Sequence, residues 1–227
     1  MNMFLVLFLM AHALAHDLWI EKKDNSYILY YGHTKPKEGE ERFLAYNPEK
    51  VIKFECYDEG GRLKEARVER SYPSKLYGQC AVVYGLFSSG YWTKTPEGTK
   101  NLPRDRVGNP IESWVSYESV KRVERWPEDP SKPLTQDLEV VLEGRPSELS
   151  VGKKFTLRVY YGGKPLKDAL VSYKGKTVGA TDSEGRVNLR IREEGLQVIS
   201  ASFRERADGT KADYIIRTTT LLFELKL

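Results

Sequence analysis

Residues 162–191 read GGKPLKDALVSYKGKTVGATDSEGRVNLRI, and this stretch decides the fold class. Short runs with alternating apolar and polar residues, at 170–173, 177–181 and 186–191, carry the period of a pleated chain. Between them stand Lys174-Gly175 and Asp182-Ser183-Glu184-Gly185. Gly185 supplies the positive φ that a tight hairpin connection needs. Gly163-Lys164-Pro165 opens a turn ahead of the first of these strands.

The same grammar extends outward. Further strands are expected at 138–142, 155–161, 197–203 and 215–225, with turns at Gly162-Gly163, Glu194-Gly195 and Asp208-Gly209. Seven short strands in this spacing predict an antiparallel sandwich over 134–227. The segment WPEDPSKP (126–133) holds three prolines and marks a linker or domain edge. Upstream, strands are expected at 18–21, 27–31, 51–57, 63–69, 80–87 and 114–117. The polar stretch YWTKTPEGTKNLPRDRVGNP (91–110) reads as a long connection between strands. The expected fold is therefore all-β: two antiparallel β-sandwich domains, 16–133 and 134–227.

Composition narrows the function classes. The chain has 227 residues, 40% hydrophobic and 30% charged, with a net charge of +4. Enough apolar material is present for real cores. So small a net charge, with no dense Lys/Arg stripe, is no nucleic-acid footprint. Two cysteines, Cys56 and Cys80, exclude a disulfide-framework miniprotein and a Cys-rich zinc module. Three histidines, His12, His16 and His33, confine any imidazole site to the first 33 residues.

The N-terminus MNMFLVLFLMAHALA (1–15) has no charged side chain and is too short for a membrane span of ~20 residues. Its end in Ala13-Leu14-Ala15 fits signal-peptidase cleavage before His16; Ala11-His12-Ala13 fits cleavage before Leu14. The expectation is a signal peptide over 1–15 and a periplasmic or secreted protein with no transmembrane segment in the mature chain. In that compartment a Cys56–Cys80 bridge is permitted, though the spacing does not demand it.

The chemistry sits in HDLWIEKKDNSYILYYGH (16–33). Two apolar runs flank a polar middle, and Asp24-Asn25 makes an acceptable hairpin tip. With those two residues central, partners have numbers summing to 49, which pairs Ile20 with Leu29, Leu18 with Tyr31 and Trp19 with Tyr30. The same register sets His16 opposite His33. Opposed residues share a face with Cβ atoms ~4.5–5.5 Å apart, so both imidazoles can reach one ion. Neutral imidazole suits nickel, cobalt, copper or zinc. Cleavage before His16 adds the free α-amine as a third nitrogen, an arrangement like the histidine brace of copper proteins. Cleavage before Leu14 instead leaves a free amine with His at position three, a square-planar Cu/Ni pattern. Asp17 and Glu38 are weaker ligand candidates. Asp17 is expected on the opposite face, and Glu38, past Pro36, has to fold back. Glu21, Glu40 and Glu41 are other carboxylates nearby.

Two resemblances add to this reading. Gly163-Lys164-Pro165-Leu166, Ala169, Val171, Thr181-Asp182, Gly185 and Val187–Leu189 resemble the transthyretin-like or carboxypeptidase-regulatory-like sandwich, which implies a fold and little about function. An Ala-ending leader, His16, Trp19, Gly32-His33 and Tyr91–Gly98 resemble the NikM-like exported domain family, found beside nickel and cobalt uptake systems. Thr34-Lys35-Pro36 and Gly195-Leu196 depart from that family's pattern. The resemblance implies a divalent-metal-binding or delivery role, with a membrane metal-uptake complex as partner and His16 and His33 as the positions carried over. Trp92, Lys94 and Thr95 in the Tyr91–Gly98 element are expected to be structural, the alternative being that they cover the site.

The expected function is an exported, non-enzymatic protein that binds a divalent transition metal, nickel or cobalt, with copper also suited, for uptake or delivery. Two rivals stand beside it: a copper histidine-brace enzyme oxidising glycans, and a metal-free exported interaction module. With so few histidines and no Gly-x-Ser-x-Gly element, Ser-His and Cys-His catalysis are poorly supported.

Overall fold

The computed structural model of the protein describes residues 16–225. The signal-peptide expectation for 1–15 lies outside the described residues. The described chain is nearly all β, with helix only as three single 3-10 turns. The region before the proline-rich segment holds β1 (Asp17–Lys23), β2 (Ser26–Gly32), β3 (Val51–Tyr57), β4 (Leu63–Lys64), β5 (Arg67–Glu69), β6 (Lys75–Tyr77), β7 (Val82–Thr95), β8 (Gly98–Lys100) and β9 (Glu112–Val123). The region after it holds β10 (Glu139–Glu143), β11 (Lys154–Tyr161), β12 (Lys164–Pro165), β13 (Leu170–Tyr173), β14 (Lys176–Ala180), β15 (Arg186–Arg190), β16 (Gly195–Arg206) and β17 (Tyr214–Leu225).

These strands form three sheets. A nine-stranded sheet runs β14-β13-β16-β17-β9-β7-β3-β4, with β8 added on β7. One four-stranded sheet runs β1-β2-β6-β5, and the other joins β10, β11, β12 and β15. The central sheet draws on both sides of residues 126–133, because β17 pairs with β9 from Tyr214↔Trp114 to Phe223↔Val123. That pairing is parallel, the exception among the otherwise antiparallel described strands. The two expected sandwiches thus share a sheet, and the composition boundary at 133/134 does not part the strands.

Each outer sheet covers one face of the central one. Strand alternation sends Val123 of β9 into a core with Leu142, Leu157, Val159, Tyr173, Ile199 and Leu221. It sends Val120, on the other face, into a core with Leu18, Ile20, Leu29, Leu76, Phe87 and Leu222. The Cys56–Cys80 disulfide is formed, Cα atoms 5.3 Å apart, and both cysteines are buried in this second core. The segment entering β10 is tied to the central sheet by polar groups. Glu139, fully buried, takes Lys121 Nζ at 2.7 Å and the backbone N–H groups of Leu134 and Thr135. Asp137 accepts from Lys53 Nζ at 2.7 Å and from the Tyr84 hydroxyl at 3.0 Å.

The expected connection at 91–110 differs. Its first part continues β7 to Thr95 and returns as β8, with Thr93↔Lys100 and Thr95↔Gly98 paired. The Thr95 hydroxyl donates to the Gly98 carbonyl at 2.9 Å and accepts the Glu97 N–H at 3.2 Å, so side chains of loop-like composition satisfy the turn themselves. Thr-Pro-Glu-Gly is a hairpin tip.

Candidate functional site: a histidine pair beside an aromatic cleft

The hairpin β1–β2 forms in the expected register. Asp17↔Gly32, Leu18↔Tyr31, Trp19↔Tyr30 and Ile20↔Leu29 are paired, and the turn closes at Lys23↔Ser26. Asp24 adopts a positive φ of 51° at the tip. The hairpin buries Leu18, Ile20 and Leu29 against the central sheet. Its first strand is fastened to β9 by Arg122, whose Nη1 donates to the Ile20 carbonyl at 3.2 Å. Lys22 Nζ adds an ion pair to Glu124 at 2.7 Å.

One step beyond the last ladder pair, His16 and His33 face each other. Their ring centroids are 5.0 Å apart with 65° between the planes, and both residues are half-buried. Nδ1 of His16 lies 3.0 Å from the Tyr31 hydroxyl, in a hydrogen bond whose direction follows the tautomer. Nδ1 of His33 lies 3.8 Å from Oε2 of Glu40. Burial, and next the neighbouring His33, push the His16 imidazole below its ordinary value, against weaker opposite pulls from Asp17 and Glu40. The neutral ring, which is the ligand form, is therefore favoured at neutral pH.

Gly32 explains how His33 reaches this place. The chain folds back so that His33 N donates to the Arg42 carbonyl at 2.9 Å and Leu44 N to the Tyr31 carbonyl at 2.8 Å. Gly32 sits between them at φ 146°, bridged to Phe43. A Cβ there would be driven into the Arg42 carbonyl oxygen. The return also delivers Glu40, its carboxyl held below the usual range by the Lys37 backbone N–H and then by the histidines.

A cleft of about 380 Å³ opens beside the pair, lined by His16, Tyr31, Trp92, Trp114, Glu118 and Ile216 among others. Its floor is the face of the central sheet that the hairpin leaves bare. Trp92 pairs across β7–β9 with Trp114, and Glu118 lies beside Thr218 of β17. Ser89 Oγ accepts from Trp92 Nε1 at 3.2 Å and lies 3.2 Å from Glu118 Oε1. Burial raises the Glu118 carboxyl to about 7.

The family described as a domain of unknown function, DUF4198, matches residues 13–205. The chain belongs to the DUF4198 family. No curated protein and no solved structure matches it. The match spans both histidines, Gly32 and Glu118 of this DUF4198 chain.

The weaker ligand candidates fall elsewhere. Asp17 turns to Thr34, accepting its backbone N–H at 2.9 Å and its hydroxyl as well. Glu38 is exposed, in the turn where Glu40 N donates to the Lys37 carbonyl at 3.0 Å. The carboxylate that approaches the histidines is Glu40, two residues on. Among the described residues, no third His, Cys, Asp or Glu completes a three-ligand group, and no helix is long and apolar enough to cross a membrane. Glu118 was invisible to pattern reading, because a Glu in an alternating strand ordinarily faces water.

Proposed function

We propose that this is an exported protein that captures a divalent transition-metal ion as cargo, for uptake or delivery, through the imidazoles of His16 and His33. The observation that carries the reading is the cross-strand ring pair at 5.0 Å. The donor chemistry fits: two imidazoles, one of them biased to its neutral form, are borderline ligands that suit nickel, cobalt and copper. Cleavage before His16 would add its α-amine to the set. That amine has a reference pKa of ~7.7–8.0, so an ion can displace its proton near neutral pH.

Nickel or cobalt is favoured by the resemblance of His16, Trp19, Gly32-His33 and Tyr91–Gly98 to the NikM-like exported family, and a membrane metal-uptake complex is the proposed recipient. Copper is the ion that such nitrogen donors hold most tightly, whatever the physiological cargo. The buried disulfide is in keeping with an oxidising compartment.

Mass spectrometry of the protein exported by a secreting host, first denatured and then native with Ni(II), Co(II), Cu(II) and Zn(II), tests the reading. A chain starting at His16 that holds one ion supports it. A chain that retains no ion would leave a metal-free interaction module.

A further inference from the structure

Two carboxylates, the buried Glu139 of β10 and the half-buried Glu118 of β9, are treated very differently. Both oxygens of Glu139 are satisfied, by Lys121, by two backbone N–H groups and by the Thr135 hydroxyl. Glu118 has only Ser89 on Oε1, while its Oε2 is buried with no hydrogen-bond partner among the described residues. Buried polar groups are satisfied as a rule, so this carboxylate, on a residue that lines the cleft, is short of a donor.

The character of that donor follows from the walls. Among the described residues, Glu118 is the only carboxylate lining the cleft, and no lysine or arginine lines it. The Lys50 ammonium nearby is engaged with the Ser89 carbonyl at 3.3 Å. Trp92, Trp114, Tyr31 and Ile216 present aromatic and apolar surface, the setting in which a desolvated cation gains from ring faces. The volume, about 380 Å³, lies within the range of small-molecule sites, ≈ 300–1,000 Å³.

We propose that this cleft binds a small organic cation, a protonated amine on an apolar or aromatic body, with the ammonium paired with the Glu118 carboxylate and the body lying against Trp92 and Trp114. The site is separate from metal capture, although His16 borders both. Its raised proton affinity is consistent with a carboxylate awaiting a counter-ion.

Benzylamine is the probe, titrated into the whole protein in the presence of a chelator and followed by tryptophan fluorescence, with benzyl alcohol as the neutral isostere. The chelator separates this test from metal binding, so either proposal can fail alone. Saturable benzylamine binding is expected, weakened about tenfold or more for benzyl alcohol and in Glu118→Gln. Thr218→Phe, which fills the cleft and keeps the charge, should abolish it. No saturable signal, equal binding of the amine and the alcohol, or full affinity in Glu118→Gln would each overturn the proposal. The amine–alcohol comparison on the unaltered protein stands whether or not the variants fold.

Discussion

His16 and His33 are brought to a ring separation of 5.0 Å by a hairpin whose two strands are numbered 17 residues apart at that level. The hairpin carries both side chains, and the fold-back at Gly32 holds His33 through its N–H to the Arg42 carbonyl. The apolar pairs Leu18↔Tyr31 and Ile20↔Leu29 fix the register, and a slip of one residue would send the rings to opposite faces. The packed hairpin thus determines the donor geometry.

Gly32 links that geometry to the backbone. Gly32→Ala forces a Cβ toward the Arg42 carbonyl and strains a positive φ. We expect a loss of about 2 kcal/mol or more in urea unfolding, together with weaker metal binding as His33 is displaced. Unchanged stability would show that the 42–44 segment is not held as described.

Glu118 makes stability depend on pH. Its folded value, about 7, lies above its ordinary 4.5, so the native state binds this proton more tightly than the unfolded chain. The associated stability is fully present below pH 4.5 and is lost as pH rises toward 7. Glu118→Gln removes that slope. The stability of the native protein relative to the variant should fall by on the order of 2 kcal/mol between acid and mildly alkaline pH. Histidine titrations are common to both proteins and cancel in the difference. Parallel pH profiles would contradict the burial of this carboxyl.

The disulfide closes a loop of 24 residues between β3 and the entry to β7. Replacing both Cys56 and Cys80 by Ala should cost about 3 kcal/mol, largely by freeing the unfolded chain. Urea melts with and without reductant check this. A native midpoint insensitive to reductant in accessible conditions, with a variant as stable as the parent, would count against it.

Much of this was legible locally. The Asp24-Asn25 tip and the flanking apolar pairs carried the register and with it the histidine pair, and the short strands of 162–191 carried the fold class. What escaped was long-range. The parallel seam of β17 on β9 joins residues about a hundred positions apart, such as Trp114 and Tyr214, and has no periodic signature. The β7–β8 hairpin was hidden because Thr93 and Thr95 look like loop residues yet satisfy the backbone around them. Glu40, in place of Glu38, nears His33 because of a turn at Lys37 that charge spacing alone does not reveal.

The central claim is that one ion is shared by two rings, and a double-mutant cycle on Ni(II) or Cu(II) affinity tests it most directly. His16→Ala and His33→Ala should each weaken binding by about 100-fold, and the double variant should lose little more than either alone, because the ligands act as a unit. Losses that simply add, or a single variant binding as tightly as the parent, would contradict a shared site.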